Sequence, residues 1–287
     1  MNKNITGRVI SKFKKIKIWR NPMISVSLGF VIFVLIVAIF APFVVIHDPF
    51  QNNLDLLLVS PNKEYIMGTD QYGRDIFSRV IWGTRESLKI GLLSILIGAS
   101  CGIFLGLISG YVGGLADDLL TRMVNLLLSF PVIIVAIIVV GIVGAGSTGV
   151  IVALGIGITP IFARIVRGQV LTIKQNTYVE AARALGAGNM RIIIFHILIN
   201  ISGPIIVLVT IYLPLAILAE SSLSFLGIGV SPDTPTWGRI IADGRAYIQS
   251  APWICLFPGL ALIITSISFN VLGDGLRDEL DPKLRVR

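Results

Sequence analysis

The segment Tyr178-Val-Glu-Ala-Ala-Arg-Ala-Leu-Gly186 is a polar interruption in a very apolar chain. Residues 180–185 are nearly all strong helix formers, and glycine accepts the left-handed backbone that ends a helix. A second helical stretch, apolar and basic, follows from Met190 to Leu198. The sequence therefore predicts a helix, a sharp turn and a second helix, an arrangement that has the form of a docking element.

The composition on either side of this segment is that of a membrane protein. Of the 287 residues, 54% are hydrophobic and only 14% are charged, whereas soluble domains carry about 25% charged residues. The net charge of +8 would also suit a nucleic-acid-binding protein, but aromatic residues are not interleaved with the basic ones. We therefore expect an all-α integral membrane protein that lies in a lipid bilayer and binds no nucleic acid.

Six apolar runs predict six membrane-spanning helices. The first run, 24–46, has 23 residues, which is long enough for a hydrocarbon core of about 30 Å and too long for a signal peptide, whose apolar core has about 7–15 residues. We expect Pro131 to kink the third span, and we expect glycines and Pro160 to interrupt the fourth. The remaining runs are 88–109, 126–142, 148–163, 201–219 and 254–272.

Two features lie next to or within the second span. Residues 73–86, in the second half of the polar segment 47–87, have helical periodicity and predict a short helix that either lies on the membrane surface or packs on neighbouring spans. Within the span, a small residue occurs at every fourth position. Such a stripe lets another helix approach closely, and this helix belongs either to this chain or to another subunit. The stripe consists of Ser94, Gly98, Gly102, Gly106 and Gly110.

The distribution of basic residues predicts the orientation of the spans. One side contains the N-terminal segment 1–23, a polar turn at 111–122, the loop 164–200 and the tail 273–287, and it carries 17 of the 24 basic residues. The opposite side carries seven. Because Lys and Arg are enriched on the cytoplasmic side, we expect both termini and the loop in the cytoplasm, and segment 47–87 outside it. The membrane core with the second to sixth spans would then be residues 88–272.

Motifs that would make the chain an enzyme are absent from its sequence. It has no P-loop for ATP and no His-Glu-x-x-His metal motif. His47 and His196 fall at span ends on opposite sides, and Cys101 and Cys255 have no metal-binding neighbours. We therefore expect no catalytic, cofactor-binding or metal-binding residues. The remaining interpretation is a membrane pathway that is driven from outside the chain through the loop.

At this loop the sequence resembles the permease subunits of bacterial ABC importers. Their cytoplasmic signature appears here as Glu180-Ala181-Ala182-x-x-x-Gly186. The likeness extends from about residue 20 to the C-terminus and is strongest to the peptide/nickel subfamily, on the branch of the second (C-type) permease. The segments that carry it are Gly68–Arg79, Glu220–Gly229, Trp237-Gly and Gly273–Pro282.

The resemblance implies a type I permease fold in a bacterial cytoplasmic membrane. It also implies a heteromeric importer that contains this chain, a second homologous permease, two ATPase subunits that bind ATP and magnesium, and an extracytoplasmic substrate-binding protein. The implied substrate is a peptide or a related small solute; the alternatives are a nickel or metal-chelate importer and, in another class, a structural or assembly protein. The residues implied in ATPase coupling are Tyr178, Glu180, Ala181, Ala182, Leu185 and Gly186.

Three further expectations depend on this resemblance. Members of the subfamily usually have proline where this chain has Ile199. We therefore expect the helix that leads from the loop into the fifth span to be less kinked in this chain. Glu220 and Ser224 are candidates for an outer gate or pathway; in the alternative interpretation Glu220 is a polar cap bonded to Ser221 or Ser222. Arg74, Asp75 and Arg79 either contact the binding protein or form a local ion-pair network.

Overall fold

The computed structural model describes residues 22–280 and confirms the all-α class for them. Most of the predicted basic segment 1–23, and residues 281–287 of the predicted tail, lie outside the described residues. The principal helices are α1 (Pro22–Val44), α2 (Ile76–Val112), α3 (Gly114–Leu128), α4 (Val132–Val143), α5 (Ser147–Ile173), α6 (Thr177–Ala184), α7 (Ile199–Phe225), α8 (Trp237–Gly244) and α9 (Trp253–Leu280).

The number of long apolar helices agrees with the six predicted spans. In the described part of the chain, α1, α2, α5, α9 and the helix that contains α7 are each long and apolar enough to cross a membrane. The pair α3 and α4 supplies a sixth if it forms one bent span. Buried side chains form one cluster centred on α1, α2, α7, α8 and α9, and two smaller clusters around α5.

Helix α2 replaces two predicted elements, the short helix within 73–86 and the span 88–109. It has 37 residues and begins after Asp75, whose carboxylate accepts from the Ser78 N–H. At about 1.5 Å per residue it is about 55 Å long, so it extends well beyond a hydrocarbon core of about 30 Å. Of the two alternatives for this helix, the structure agrees with packing on neighbouring elements, because Arg74 and Arg79 are buried by the preceding loop and by α8 instead of facing water.

The third predicted span is broken, whereas the sequence predicted a kink. Helix α3 starts at Gly114, inside the predicted turn 111–122, and meets α4 at an angle of 96°. Pro131 precedes the first residue of α4, and it has no N–H to continue the hydrogen bonds of α3. Gly113 is the single residue between α2 and α3, and both it and Gly114 have positive φ.

Helix α5 is the partner of the small-residue stripe, so the close contact lies within this chain. A Cβ at Gly102 would lie 2.4 Å from the Phe162 Cβ, and one at Gly106 would lie 2.7 Å from the Ala163 carbonyl oxygen. Helix α5 is continuous from Ser147 to Ile173, although the sequence predicted an interrupted span, 148–163. Packing against α2 explains the continuity, because Gly155 faces Ile97 at a distance that excludes a side chain.

Helices α7 and α9 are longer than the predicted fifth and sixth spans. Helix α7 continues to Phe225, so Glu220 and Ser224 lie inside the helix and not in the loop after it. Helix α9 continues to Leu280, so residues 273–280 of the predicted tail are helical. Both extensions pack against other helices in a way that the hydropathy of the sequence does not reveal. Leu223 in α7 is buried, and a Cβ at Gly275 in α9 would lie 2.6 Å from the Ile24 side chain of α1.

We predict that Gly102→Ala lowers the stability of the folded chain by roughly 1–3 kcal/mol, because the added methyl group would overpack the contact between α2 and α5. The matched control is Gly141→Ala in α4, where a Cβ would meet nothing within 4 Å. The thermal unfolding midpoints of the purified chains in detergent measure the difference. Equal midpoints for the two variants would contradict the proposed importance of the α2–α5 contact.

Candidate functional site

The predicted docking loop is a short helix closed by a glycine turn. After α6, Gly186 has φ of 81°. The Ala187 N–H donates to the Ala182 carbonyl and the Gly186 N–H donates to the Arg183 carbonyl, both at 3.0 Å. These two bonds are a Schellman motif. A Cβ at Gly186 would meet nothing within 4 Å, so the need for glycine comes from the backbone conformation.

Three contacts hold the loop and the ends of the long helices together. The Val179 side chain is buried among apolar residues of α5 and of the segment after the turn. The Tyr111 hydroxyl, at the end of α2, donates to Asn189 Oδ1 at 2.8 Å. The Lys174 ammonium group donates to the Gly110 carbonyl at 2.7 Å. The loop is therefore fixed to the neighbouring ends of α2 and α5.

The structure brings the six predicted coupling residues together on α6 and its turn. Leu185 is 88% exposed and Met190, just beyond the turn, is 68% exposed. Glu180 lies in the first turn of α6, where a negative charge is favourable, and it forms no ion pair within the described residues. The exposed predicted residues are Tyr178, Glu180, Ala181, Leu185 and Gly186, and Ala182 is half-buried. Exposed apolar side chains of this size are typical of an interaction surface.

The second helical stretch of the loop contains a type of helix that the sequence did not reveal. Residues Ile192–Leu198 form a π-helix, which α-helix propensity does not distinguish from an α-helix. This segment passes directly into α7, and Ile199 itself has helical φ and ψ of −62° and −37°. The helix is therefore unbroken at the position where the subfamily usually has proline.

Glu220 and Ser224 form one polar cluster with Thr236. The Glu220 side chain is fully buried, and its Oε1 accepts from the Ser224 and Thr236 hydroxyl groups, both at 2.8 Å. The predicted partners of Glu220 were wrong, since Ser221 and Ser222 donate to carbonyl groups of α7. In a helix only residues three or four positions apart share a face, which explains the choice of Ser224.

Thr236 connects Glu220 to α8, and sequence reasoning missed it because it lies beyond a loop. Its hydroxyl group accepts from the Arg239 N–H and thereby caps α8. The adjacent Trp237 donates from its backbone N–H to the Ser87 hydroxyl and from its indole N–H to the Val80 carbonyl, both at 3.1 Å. These bonds fix α8 against α2 and α7.

A second polar cluster joins the loop before α2 to α8. Arg74 Nε lies 2.6 Å from Asp70 Oδ2, and Arg239 Nη2 lies 2.8 Å from Asp243 Oδ1. Two interpretations were open for Arg74 and Arg79: contact with a binding protein, or a local ion-pair network. The described residues contain the local ion-pair network. Burial raises the pKa of the Asp243 carboxyl group, and the positive charges of its arginine neighbours oppose this shift.

Comparison with protein families identifies the chain. Residues 102–286 match the model of the binding-protein-dependent transport system inner membrane component, and residues 16–61 match the N-terminal transmembrane domain of oligopeptide transport permease C. The chain belongs to this family of ABC importer permeases, and it is a multi-pass protein of the bacterial cytoplasmic (inner) membrane. Within the family it falls in the peptide-type branch that contains permease C.

Its relatives agree with this assignment along nearly the whole chain. The dipeptide transport system permease protein DppC of Alkalihalophilus pseudofirmus is 40% identical and aligns with 95% of this chain and 89% of its own length. The glutathione transport system permease protein GsiD of Pectobacterium atrosepticum is 42% identical over 91% of this chain and 88% of its own length. The name of the first relative refers to dipeptide transport, and the name of the second refers to glutathione transport.

The fold also matches a solved ABC importer. A structure described as inward facing conformations of the MetNI methionine ABC transporter superposes with a TM-score of 0.58 at 23% identity. The match covers 71% of this chain and 97% of the solved chain. At this level of identity the likeness establishes a common permease fold.

We predict that Thr236→Val lowers the stability of the chain by about 1–2 kcal/mol, because it removes both the cap of α8 and one donor to the buried Glu220 carboxylate. Glu220→Gln should cost less, since the amide oxygen still accepts these bonds. The control is Thr172→Val, which removes an exposed hydroxyl group that bonds only within α5. Thermal unfolding midpoints test this prediction, and equal losses in the two threonine variants would contradict it.

Proposed function

We propose that this chain forms half of the translocation pathway of an ATP-driven importer for peptides or related small solutes. The names of its relatives support this substrate class, because they refer to a dipeptide and to glutathione, itself a small peptide. The proposal for how transport is driven rests on the exposure of α6 and its Gly186 turn.

The proposed complex contains this chain, a second homologous permease, two ATPase subunits and an extracytoplasmic substrate-binding protein. The chain has no P-loop, so ATP and its magnesium ion would bind to the ATPase subunits, and hydrolysis would occur there. In this arrangement the chain is not itself an enzyme. The two permeases would enclose the pathway between them, and the binding protein would deliver the solute from outside.

Coupling would occur where α6 enters a groove of an ATPase subunit. Small side chains on α6, such as Ala181, allow close approach, while Tyr178 and Leu185 provide apolar contact area. Closure of the ATPase subunits would displace the turn at Gly186. Since the loop is tied to the ends of α2 and α5, this displacement would reach the spans directly. Alternating access requires that the ATPase contacts differ between the two states.

The orientation of the chain follows from its charges. We infer that the loop 164–200 and both termini face the cytoplasm, because this side carries most of the basic residues. The 47–87 segment and α8 would then lie on the outer side. Glu220 and Ser224 would lie near the outer end of the pathway, where the carboxylate ties α7 to the α8 cap and thereby positions an outer gate.

We predict that Gly186→Asp uncouples ATP hydrolysis from transport while the chain remains inserted and assembled. A non-glycine residue in the left-handed region costs about 1 kcal/mol, and the new carboxylate would disturb the apolar contact surface. Solute uptake and substrate-stimulated ATPase activity of the reconstituted complex measure the effect. Gly188→Asp is the matched control, because Gly188 has a φ of −66° and equally open surroundings. Wild-type uptake and stimulation in Gly186→Asp would refute this coupling role.

We also predict opposite labelling of two single cysteines in a variant that lacks Cys101 and Cys255. A cysteine at the exposed position Lys63 should react with a membrane-impermeant thiol reagent added outside spheroplasts. A cysteine at the exposed position Asn176 should react only after the membrane is opened. Labelling of position 176 from outside would show that the proposed orientation is inverted, without affecting the family assignment.

A further inference from the structure

Three arginines and two aspartates form a mostly buried cluster between the loop before α2, the first turn of α2 and α8. We call Arg74, Arg79, Arg239, Asp70 and Asp243 the outer arginine cluster. Arg79 is only 1% exposed and Arg74 only 6%. Arg79 Nη1 donates to the Pro49 carbonyl at 3.0 Å. The charged groups that act on Arg79 are the other four members of the cluster.

Within this cluster, several guanidinium N–H groups have no hydrogen-bond acceptor in the described part of the chain. Arg79 Nε lies 3.6 Å from Asp70 Oδ2, and Arg74 Nη2 lies 3.9 Å from Asp243 Oδ2. Both distances allow electrostatic attraction but are too long for hydrogen bonds. The buried guanidinium nitrogen atoms of the cluster that have no hydrogen-bond acceptor within the described residues are Arg74 Nη2, Arg79 Nε, Arg79 Nη2 and Arg239 Nε.

The cluster also has one more positive charge than negative charge. The neighbouring Asp75 carboxylate is not among the charged groups that act on Arg79. Its Oδ2 accepts from the Ser78 N–H and hydroxyl group and lies 3.4 Å from His47 Nδ1, and its Oδ1 has no hydrogen-bond donor within the described residues. A buried charge without a counter-charge is strongly destabilising. Each of the three arginines therefore has a buried donor available, and together they require one additional negative charge.

We propose that the outer arginine cluster binds one small monovalent anion, either a halide or a carboxylate. Guanidinium N–H groups suit both, and a carboxylate can accept two parallel bonds from one arginine. The partly exposed members are Arg239 and Asp243, whose side chains are 18% and 12% exposed. The anion would therefore enter beside α8. By completing the cluster, it would fix α8 to the loop before α2.

The test uses the full-length tagged chain, purified with its partners, at constant ionic strength in sodium chloride, sodium acetate or sodium gluconate. We expect chloride, acetate or both to raise the unfolding midpoint of the tagged chain by a few degrees, saturably, relative to the bulky gluconate ion. A response to only one of the two small anions identifies which class binds. Identical midpoints in all three salts would overturn the proposal.

Two variants and a control assign the effect to the cluster. Arg239→Gln removes the excess positive charge and should abolish the anion dependence. Asp243→Asn increases the excess positive charge and should make the unfolding midpoint depend more steeply on the anion. Because the two variants act in opposite directions, the proposal stays testable if one of them does not fold. Arg85→Gln, at an exposed arginine on α2, should behave as wild type. An undiminished response in Arg239→Gln, or an equal loss of response in Arg85→Gln, would show that any anion acts elsewhere.

Discussion

The close packing of α2 against α5 is the contact on which the rest of this permease depends. Lipid tails are as apolar as side chains, so helices in a membrane associate mainly through close packing and polar contacts. At Gly102 the two helices approach so closely that a Cβ would lie 2.4 Å from the Phe162 Cβ. This contact aligns the ends of α2 and α5, and those ends hold the loop 164–200.

The loop and the polar cluster around Glu220 pack on these long helices in different ways. At the loop, Tyr111 and Lys174 attach a short exposed helix to the helix ends, so its apolar side chains remain available to a partner. At the other polar region, Glu220 and Thr236 attach α8 to α7, and Trp237 attaches it to α2. The first arrangement presents a surface, whereas the second buries polar groups and pairs most of them.

The family pattern and the glycine turn could be predicted because both depend on local sequence. Gly186 has the left-handed conformation that its position after a helix indicates, and the small-residue stripe does mark a close helix contact. The partners of Glu220 could not be predicted in full, because Thr236 lies 16 residues away beyond a loop. The burial of Arg79 was also missed, since its amphipathic pattern equally suits a helix at the membrane surface.

Hydropathy and helix-ending residues act over short distances, so the membrane class, the approximate number of spans and the helix–glycine–helix loop follow from the order of residues alone. Long-range packing is needed to know that α2 is one long helix, that Pro131 separates α3 from α4, and that Arg74 and Arg79 face protein instead of water. These outcomes depend on which surfaces distant segments cover, and burial by a distant segment leaves no periodic signal in the chain.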